Sequence, residues 1–404
     1  MGDVDRVSVD DIEQAAALIE GVAVRTPMEE SRWLSALTES TVLLKCENLQ
    51  RTGSFKVRGA YTRMSYLSDE ERALGVVAAS AGNHAQGVAL AAQALGIKAT
   101  VFMPEGAPIP KEKATRGYGA DVVFHGRYIE DSLAEARAFQ ERTGAILIHP
   151  FDNADIVAGQ GTVGLEILEQ APDVETIVVP CGGGGLLSGI AIAVKAMRPE
   201  VRVIGVQAEG AAAYPASLEA GHPVALESMA TMADGIAVGL PGEVTFAMVR
   251  DLVDEVITVS EASLSGAVLA TLERAKMVVE PAGAAAVAAI LDDPSRFSSP
   301  TVGVLSGGNI DPLLLGKVIQ HGMAAAGRYL NLRLRIPDRP GGLAKLLGEL
   351  GDAGANVIEV SHARIDADLS LDEVEVHLQL ETRGEAQAEL VLARLRERGY
   401  RIFE

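Results

Sequence analysis

Two α/β lobes built on parallel sheets, followed by a small α+β module with an antiparallel sheet, are what the sequence predicts. From about residue 75, runs that are apolar throughout alternate with helical stretches, in two successive series. Strands apolar on both faces and separated by helices belong to parallel sheets covered on both sides. After Gly327 the pattern changes to apolar-polar alternation, the mark of strands with one wet face. At 404 residues the chain is also too long for one small core, so two or three compact units are expected.

Gly75-Val76-Val77-Ala78-Ala79 reads as the first strand, and the HAQGVALAAQAL that follows places Val88, Ala92 and Leu95 on one helical face. ATVFMP and DVVFHG are the next strands, separated by the helical KEKATRGYG; YIEDSLAEARAFQERTG is the helix leading to AILIHP. The second series opens with the helical GTVGLEILEQA and continues with TIVVP, the helix LLSGIAIAVKAM and the strand VRVIGVQ. It ends in TVGVLSGGN and the helical PLLLGKVIQHGMAAAG. In the last segment YLNLRLRI, NVIEVSHARI, LDEVEVHLQL and YRIF are strands, and GGLAKLLGELGDAG and GEAQAELVLARLRERG are helices. That order, β-α-β-β-α-β, is ferredoxin-like. The boundary is expected at AAAGR, which separates residues 1–323 from 328–404, with a small lobe at roughly 53–150 inserted in the larger one. In open parallel sheets ligands gather at the carboxyl ends of strands, here in the cleft between the lobes.

Hydrophobic residues make up 48% and charged residues 22%, the balance of an ordinary globular protein. A net charge of -20 and a pI near 4.8 argue against nucleic acid or an anionic membrane as partner. Cys46 and Cys181, the two cysteines, are too few and too far apart for a disulfide scaffold or zinc knuckle, and read as small buried hydrophobes in a reducing compartment. The seven histidines do not cluster at metal-ligand spacing, so no metal is expected. MGDVDRVSVDDIEQ lacks the layout of a signal peptide, and GAAAVAAIL is about half the length of a membrane span. A cytoplasmic protein is the expectation.

Lys56 sits in RTGSFKVRGAYTRMSYL, where Ser54 reads as an N-cap and Val57, Ala60, Tyr61, Met64 and Leu67 fall at helical spacing. In the first turn of that helix the positive end of the dipole disfavours a cation, and Arg58 adds a like charge. Both are expected to lower the amine's pKa and suit it to attack a carbonyl. Taken by itself, an ordinary first-turn lysine stays the simpler reading. CGGGGLLSG, residues 181–189, follows the strand TIVVP and opens a helix. Four consecutive glycines leave amides uncovered at a helix N-terminus, a nest suited to phosphate. It is no nucleotide fingerprint, because Ile190-Ala191 stand where a P-loop needs Lys and Ser/Thr. In SAGNHAQG, Ser80, the amides of Ala81 and Gly82, and Asn83 suit a carboxylate; Asn83 as a cap and His84 as a packed side chain fit equally well. LSGGN puts Ser306 at the end of the strand TVGV, without a nucleophile elbow, because Val304 breaks G-x-S-x-G.

One ligand answers all four loops: an aldehyde for an amine, a phosphate, a ring oxygen and a ring nitrogen, the groups of pyridoxal 5'-phosphate. In this order SFKVRGA, SAGNHAQG, CGGGGLLSG and LSGGN resemble the fold-type-II pyridoxal-phosphate enzymes, and among them threonine dehydratase (threonine ammonia-lyase), over roughly residues 10–322. The resemblance implies that Lys56, beside Phe55, condenses with the cofactor's aldehyde, and that Gly182, Gly183, Gly184, Gly185 and Leu186 hold its phosphate. It implies Asn83 at the ring hydroxyl, Ser306 at the pyridine nitrogen, and Ser80, Ala81, Gly82, Asn83 and His84 around the substrate carboxylate. The implied reaction is dehydration of L-threonine, and of L-serine, to 2-oxobutanoate or pyruvate with ammonia. Lys56 would take the α-proton, and the β-hydroxyl would leave with a proton from the cofactor phosphate. A hydroxyl partner at the pyridine nitrogen makes the ring a weaker electron sink than a carboxylate would, which favours prompt loss of the β-hydroxyl.

Serine racemases share this fold. Such relatives carry a serine just before the Gly-Asn-His of the carboxylate loop, where this chain has Ala81, which has no proton to give. Gln207 and Ala213 stand where an ungapped comparison puts the racemases' divalent-cation carboxylates. Both departures favour elimination. An amino-acid sensor with a dead catalytic lobe is expected to have lost Lys56 or the glycines, and both are intact. Enzymes of β-replacement, similar to tryptophan or cysteine synthase, share the fold, and the SFKVRGA context and the terminal module favour the dehydratase branch. That module resembles an ACT domain. The resemblance implies an effector loop in DRPGGL, with Asp338, Pro340, Gly341, Gly342 and Leu343, a second contact at Asn356, and isoleucine or valine as effector. It also implies a homo-oligomer, a tetramer above all, in which pairing of the modules links effector and assembly. A module that only dimerises stays open, as does the choice between isoleucine biosynthesis and threonine catabolism.

Overall fold

The computed structural model describes residues 7–363 and 372–403. Two compact units divide the chain, Met1–Leu315 and Gly316–Glu404, so the division falls inside the helix Pro312–Ala325.

The first unit holds two sheets. Asp121–Phe124, Ala99–Met103, Val76–Ala79 and Ile146–Leu147 pair in that spatial order, all parallel. Val76–Ala79 and Ala99–Met103 are buried along their whole length because both faces are covered. Val76 and Ala78 pack with Ala85, Val88 and Ala89 of the helix Asn83–Leu95, while Val77 and Ala79 pack with Ala136 of the helix Ile129–Thr143. The two-residue period of a strand thus sends successive side chains to opposite helical layers.

Six strands form the second sheet, in the order Met28–Glu30, Val42–Lys45, Thr301–Val304, Thr176–Pro180, Arg202–Ala208 and Glu255–Val259. All neighbours run parallel except the edge pair Met28–Glu30 and Val42–Lys45. Three of these strands are absent from the sequence-based expectation. Met28–Glu30 is only three residues long, and Val42–Lys45 ends in a charged residue that tertiary partners bury completely. Glu255–Val259 is mostly half-buried and begins at an acidic residue, so neither period stands out. The carboxyl ends of Val76–Ala79, Thr176–Pro180 and Thr301–Val304 each run into one of the chemistry-bearing loops.

The second unit follows the expected β-α-β-β-α-β order. Its antiparallel sheet has the order Asn356–Ala363, Glu373–Glu381, Tyr329–Pro337 and Arg401–Phe403, with the helices Gly342–Asp352 and Glu385–Glu397. Leu332, Leu334 and Ile336 alternate into its core with Val374, Val376 and Leu378. Arg364, Ile365 and Leu371, read as strand ends, lie outside the described residues. Cys46 and Cys181 are buried and unpaired, and burial first of all raises both thiol pKa values, that of Cys46 to about 12. Among the described residues no helix is long and apolar enough to cross a membrane.

Candidate active site

Lys56 is the first residue of the helix Lys56–Ser65. The residue ahead of it is Phe55, already helical, and no side chain caps the turn. Ser54 does not serve as the expected cap: its backbone bridges Gly307 and its hydroxyl is buried without a partner among the described residues. The lysine reaches into a cavity of about 470 Å³, where Nζ donates to the Pro150 carbonyl at 2.8 Å and lies 5.1 Å from the centre of the Phe55 ring. Burial pulls its pKa down to about 8, against the opposing pull of the Glu280 carboxylate. Arg58 is not the cause, contrary to expectation. Its guanidinium is fully buried elsewhere, forked onto Glu47 at 2.8 and 2.9 Å and onto Glu166 at 2.7 Å, so its charge is locally cancelled. The helix Asn83–Leu95 fixes the lysine's backbone from the other side; a Cβ on Gly87 would stand 3.0 Å from the Lys56 carbonyl carbon.

The glycine run joins the strand Thr176–Pro180 to the helix Gly185–Met197 and lines the same cavity. Gly184 has φ +94°, a left-handed conformation that favours glycine. A Cβ on Gly182 would stand 2.9 Å from Ile236 Cα, and one on Gly185 3.1 Å from Phe151 Cβ; one on Gly183 would enter the Phe151 ring. Among the described residues none of the amides of Gly182, Gly183, Gly184, Gly185 and Leu186 donates to another group. Five such donors at a helix N-terminus make an anion site that side chains cannot crowd.

Ser80, Ala81, Gly82, Asn83 and His84 line the cavity where the small sheet meets its helix. The Gly82 amide donates to Ser80 Oγ at 3.1 Å, while the amides of Ala81 and Asn83 have no partner among the described residues. Asn83 is the first helical residue, behind Gly82, and so does not cap. Its Nδ2 donates to Glu280 Oε1 at 2.5 Å and its Oδ1 accepts from Asn309 Nδ2 at 2.8 Å. One Nδ2 hydrogen is left for a ligand. His84 takes the packed alternative: it is buried, its Nε2 donates to the Ile148 carbonyl at 2.8 Å, and burial, aided by Lys56, lowers its pKa to about 3. The ring is therefore neutral, with the proton on Nε2. Ser306, also buried, lines the cavity from the end of Thr301–Val304, and its carbonyl accepts from the Phe55 amide at 3.3 Å.

Residues 19–308 match the family model of the pyridoxal-phosphate dependent enzymes, and residues 331–399 that of the ACT domain. The chain belongs to the pyridoxal-phosphate dependent enzyme family. It is 46% identical to an L-threonine ammonia-lyase of Thermotoga maritima over 396 residues, 98% of this chain and 99% of that one. Among solved structures, a T.th. threonine deaminase superimposes with a TM-score of 0.72 at 46% identity, covering 75% of this chain and 99% of that chain. Maize serine racemase gives 0.74 at 40% identity, covering 77% and 96%. The architecture is that of the fold-type-II branch of these enzymes, with a terminal ACT domain.

The family's cofactor, pyridoxal phosphate, fits the residues present. A desolvated amine, a four-glycine cradle whose amides, with that of Leu186, have no partner among the described residues, and a buried serine at Ser306 converge on one cavity. Sequence reasoning missed Glu280, which is buried in this cavity with its pKa raised by burial, and it missed Asn309 as the second partner of Asn83. Glu280 precedes Pro281 at the start of the helix Pro281–Asp292, so in sequence it reads only as a helix start. The wall formed by Asp234, Gly235 and Ile236 was missed too, for want of any local signal.

The ACT loop is less open than its glycines imply. Gly341 has φ +85° and precedes the helix Gly342–Asp352, but the Gly342 amide is used within the loop, donating to the Arg339 carbonyl at 3.0 Å. The Asp338 amide donates to the Asp372 carbonyl at 2.7 Å, Pro340 is exposed, and Leu343 packs toward the module's core. Asn356 Nδ2 donates to Glu381 Oε2 at 3.2 Å.

Proposed function

We propose that the chain is a threonine ammonia-lyase, converting L-threonine, and L-serine as a second substrate, to 2-oxobutanoate or pyruvate with ammonia. The observation that carries this reading is the likeness to the Thermotoga L-threonine ammonia-lyase, which runs the length of both chains, terminal module included. When bound, pyridoxal phosphate supplies the aldehyde that takes up the substrate amine and the ring that spreads negative charge from Cα. The chain's own residues supply the rest. Lys56, with a pKa near 8, is partly neutral at physiological pH and suited to receive the α-proton. The free amides of Ala81 and Asn83 orient the carboxylate at a helix N-terminus. Residues 182–186 anchor the phosphate, Ser306 serves the pyridine nitrogen, and Glu280 with Asn309 holds Asn83 for the ring hydroxyl.

Racemisation of serine is the second reading, favoured by the TM-score to the maize racemase. It needs an acid on the face of the substrate opposite Lys56, and Ala81 in the carboxylate loop offers no proton. Rates of keto-acid formation from L-threonine and L-serine, with a chiral assay for D-serine, decide between them; D-serine appearing faster than pyruvate would overturn the lyase. One methyl in a pocket is worth about 1–3 kcal/mol, so turnover of both substrates is expected. The ACT domain supports an amino-acid effector, and we assign it isoleucine or valine in a cytosolic homotetramer. Calorimetric titration with a panel of amino acids and the mass in solution test these assignments; no heat with any amino acid leaves the module a dimerisation device.

A further inference from the structure

We propose that the hydroxyls of Tyr214 and Thr245 lock the peptide between Gly183 and Gly184, so that its N–H is presented to the cofactor's phosphate. This rests on the assignment of residues 182–186 to the phosphate. The Gly183 carbonyl accepts from Thr245 Oγ1 at 2.6 Å and from Tyr214 Oη at 3.2 Å. In a planar trans peptide the carbonyl and the N–H point in opposite directions. With the carbonyl held against two hydroxyls behind the loop, the Gly184 N–H is turned away from them, into the cavity that Gly184 lines.

The loop cannot hold this orientation unaided. Glycines pass readily between the conformations that flip a peptide. The next carbonyl, that of Gly184, is fixed by the helix itself, through the Ser188 amide and hydroxyl, each at 2.8 Å. The Gly183 carbonyl has no such helical partner among the described residues, and without the hydroxyls it would be buried and unpaired. A flip would then aim it at the phosphate in place of a donor. Both hydroxyls are themselves anchored. Tyr214 is fully buried, its ring stacks on Phe246 at 6.4 Å, and its amide donates to Gln207 Oε1 at 2.9 Å. Thr245 stands in the first turn of the helix Glu243–Leu252, whose leading amides donate to the Asp152 carboxylate at 2.9 to 3.3 Å. Gly184 is pressed against the same group, since a Cβ there would strike Tyr214 Oη. Tyr214 and Thr245 are positioning residues, acting on the phosphate through the backbone.

The test is equilibrium binding of pyridoxal phosphate, and separately of pyridoxal, to the full-length apoenzyme, followed by absorbance. Wild type should bind the phosphorylated form far more tightly. Tyr214→Phe, which keeps the ring, and Thr245→Val should each weaken pyridoxal phosphate roughly tenfold while leaving pyridoxal within about twofold. Thr245→Ser, which keeps the hydroxyl, should restore the affinity. Variants that bind pyridoxal phosphate as wild type does, or that lose both ligands equally, overturn the lock. A wild type that binds the two ligands equally would instead remove residues 182–186 from the phosphate. Should Tyr214→Phe fail to fold by circular dichroism, the Thr245→Val and Thr245→Ser pair makes the same comparison.

Discussion

Removing the Arg58 guanidinium probes the scaffold beneath Lys56, two residues away on the same helix. Arg58 is fully buried and makes five hydrogen bonds: two to Glu47, one each to Glu166 and Thr162, and one to the Val24 carbonyl. Arg58→Ala strands Glu47, which is also fully buried and keeps, among the described residues, only the Thr26 hydroxyl at 2.6 Å as a direct side-chain partner. Breaking a buried pair from one side costs about 3–5 kcal/mol. With an unfolding entropy of about 2.1 cal/mol/K per residue, spread over the 315 residues of the first unit, that cost lowers Tm by about 5–8 °C. Scanning calorimetry of the holoenzyme measures it. The pH dependence gives a second signature. In wild type, burial raises the Glu47 pKa, but the charge and hydrogen bonds of Arg58 outweigh it and hold the carboxyl below the usual range. A depressed carboxyl stabilises above its unfolded pKa of about 4.3, and that contribution is lost as pH falls through the folded value. In the variant burial acts with less opposition, the carboxyl moves up, and acidification from pH 7 to 5 should narrow the gap between variant and wild type. Arg58→Lys keeps the charge without the fork and should fall between the two. A variant melting within 2 °C of wild type (about 1 kcal/mol), or a gap that widens on acidification, would refute the reasoning.

Coenzyme uptake by the apoenzyme requires a neutral Lys56, so its stopped-flow rate should rise with pH through about 8 and level off above it; a midpoint near 10 would place the amine in solvent. Because this amine's folded pKa lies below its unfolded one, its contribution to apoenzyme stability is lost as pH falls from about 10 through 8. Lys56→Ala should abolish turnover and the absorbance band of the lysine-bound coenzyme, and retained activity would remove Lys56 from the chemistry. Glu280→Ala releases Asn83 and should lower kcat at least tenfold with coenzyme still bound, while Glu280→Gln, which keeps an oxygen for Asn83 Nδ2, should do less; equal kcat for all three proteins would contradict the pinning. Gly183→Ala drives a methyl into the Phe151 ring and should weaken coenzyme binding more than tenfold, measured by absorbance titration, with partial recovery in the double variant with Phe151→Leu.

Local features of the site were legible in the sequence, and its long-range chemistry was not. Four glycines between a buried strand and a helix can be read as a nest because each requirement, free amides and no Cβ, is a property of consecutive residues. The alternating lobes were legible because Val76–Ala79, Ala99–Met103 and Thr176–Pro180 are buried on both faces and so are apolar apart from Thr100 and Thr176. Val42–Lys45 escaped notice because its lysine is buried by Glu166 and Gln170, more than a hundred residues on. The cause of the low Lys56 pKa is hidden from the sequence for the same reason. Arg58 is adjacent in sequence, but its field is cancelled by Glu47 and Glu166, whose arrival no local pattern announces.

Two buried lysines show what separates scaffold from chemistry here. Burial lowers the pKa of Lys45 as well as that of Lys56, so a depressed amine does not by itself mark a reactive one. Lys45 has all three of its hydrogens placed, on the Thr26 carbonyl at 2.9 Å, Glu166 at 2.5 Å and Gln170 at 2.8 Å, so none is left for a ligand. Lys56 has, among the described residues, one hydrogen-bond partner, the Pro150 carbonyl, and opens onto a cavity. Its acidic neighbour Glu280 is shifted the other way, upward, by the same desolvation. A base moved down and an acid moved up in one cavity bring both groups toward neutrality, the arrangement that proton-transfer sites share. Arg58, Glu47, Glu166 and Lys45 pair with one another outside the cavity lining, in a network that holds the helix carrying Lys56.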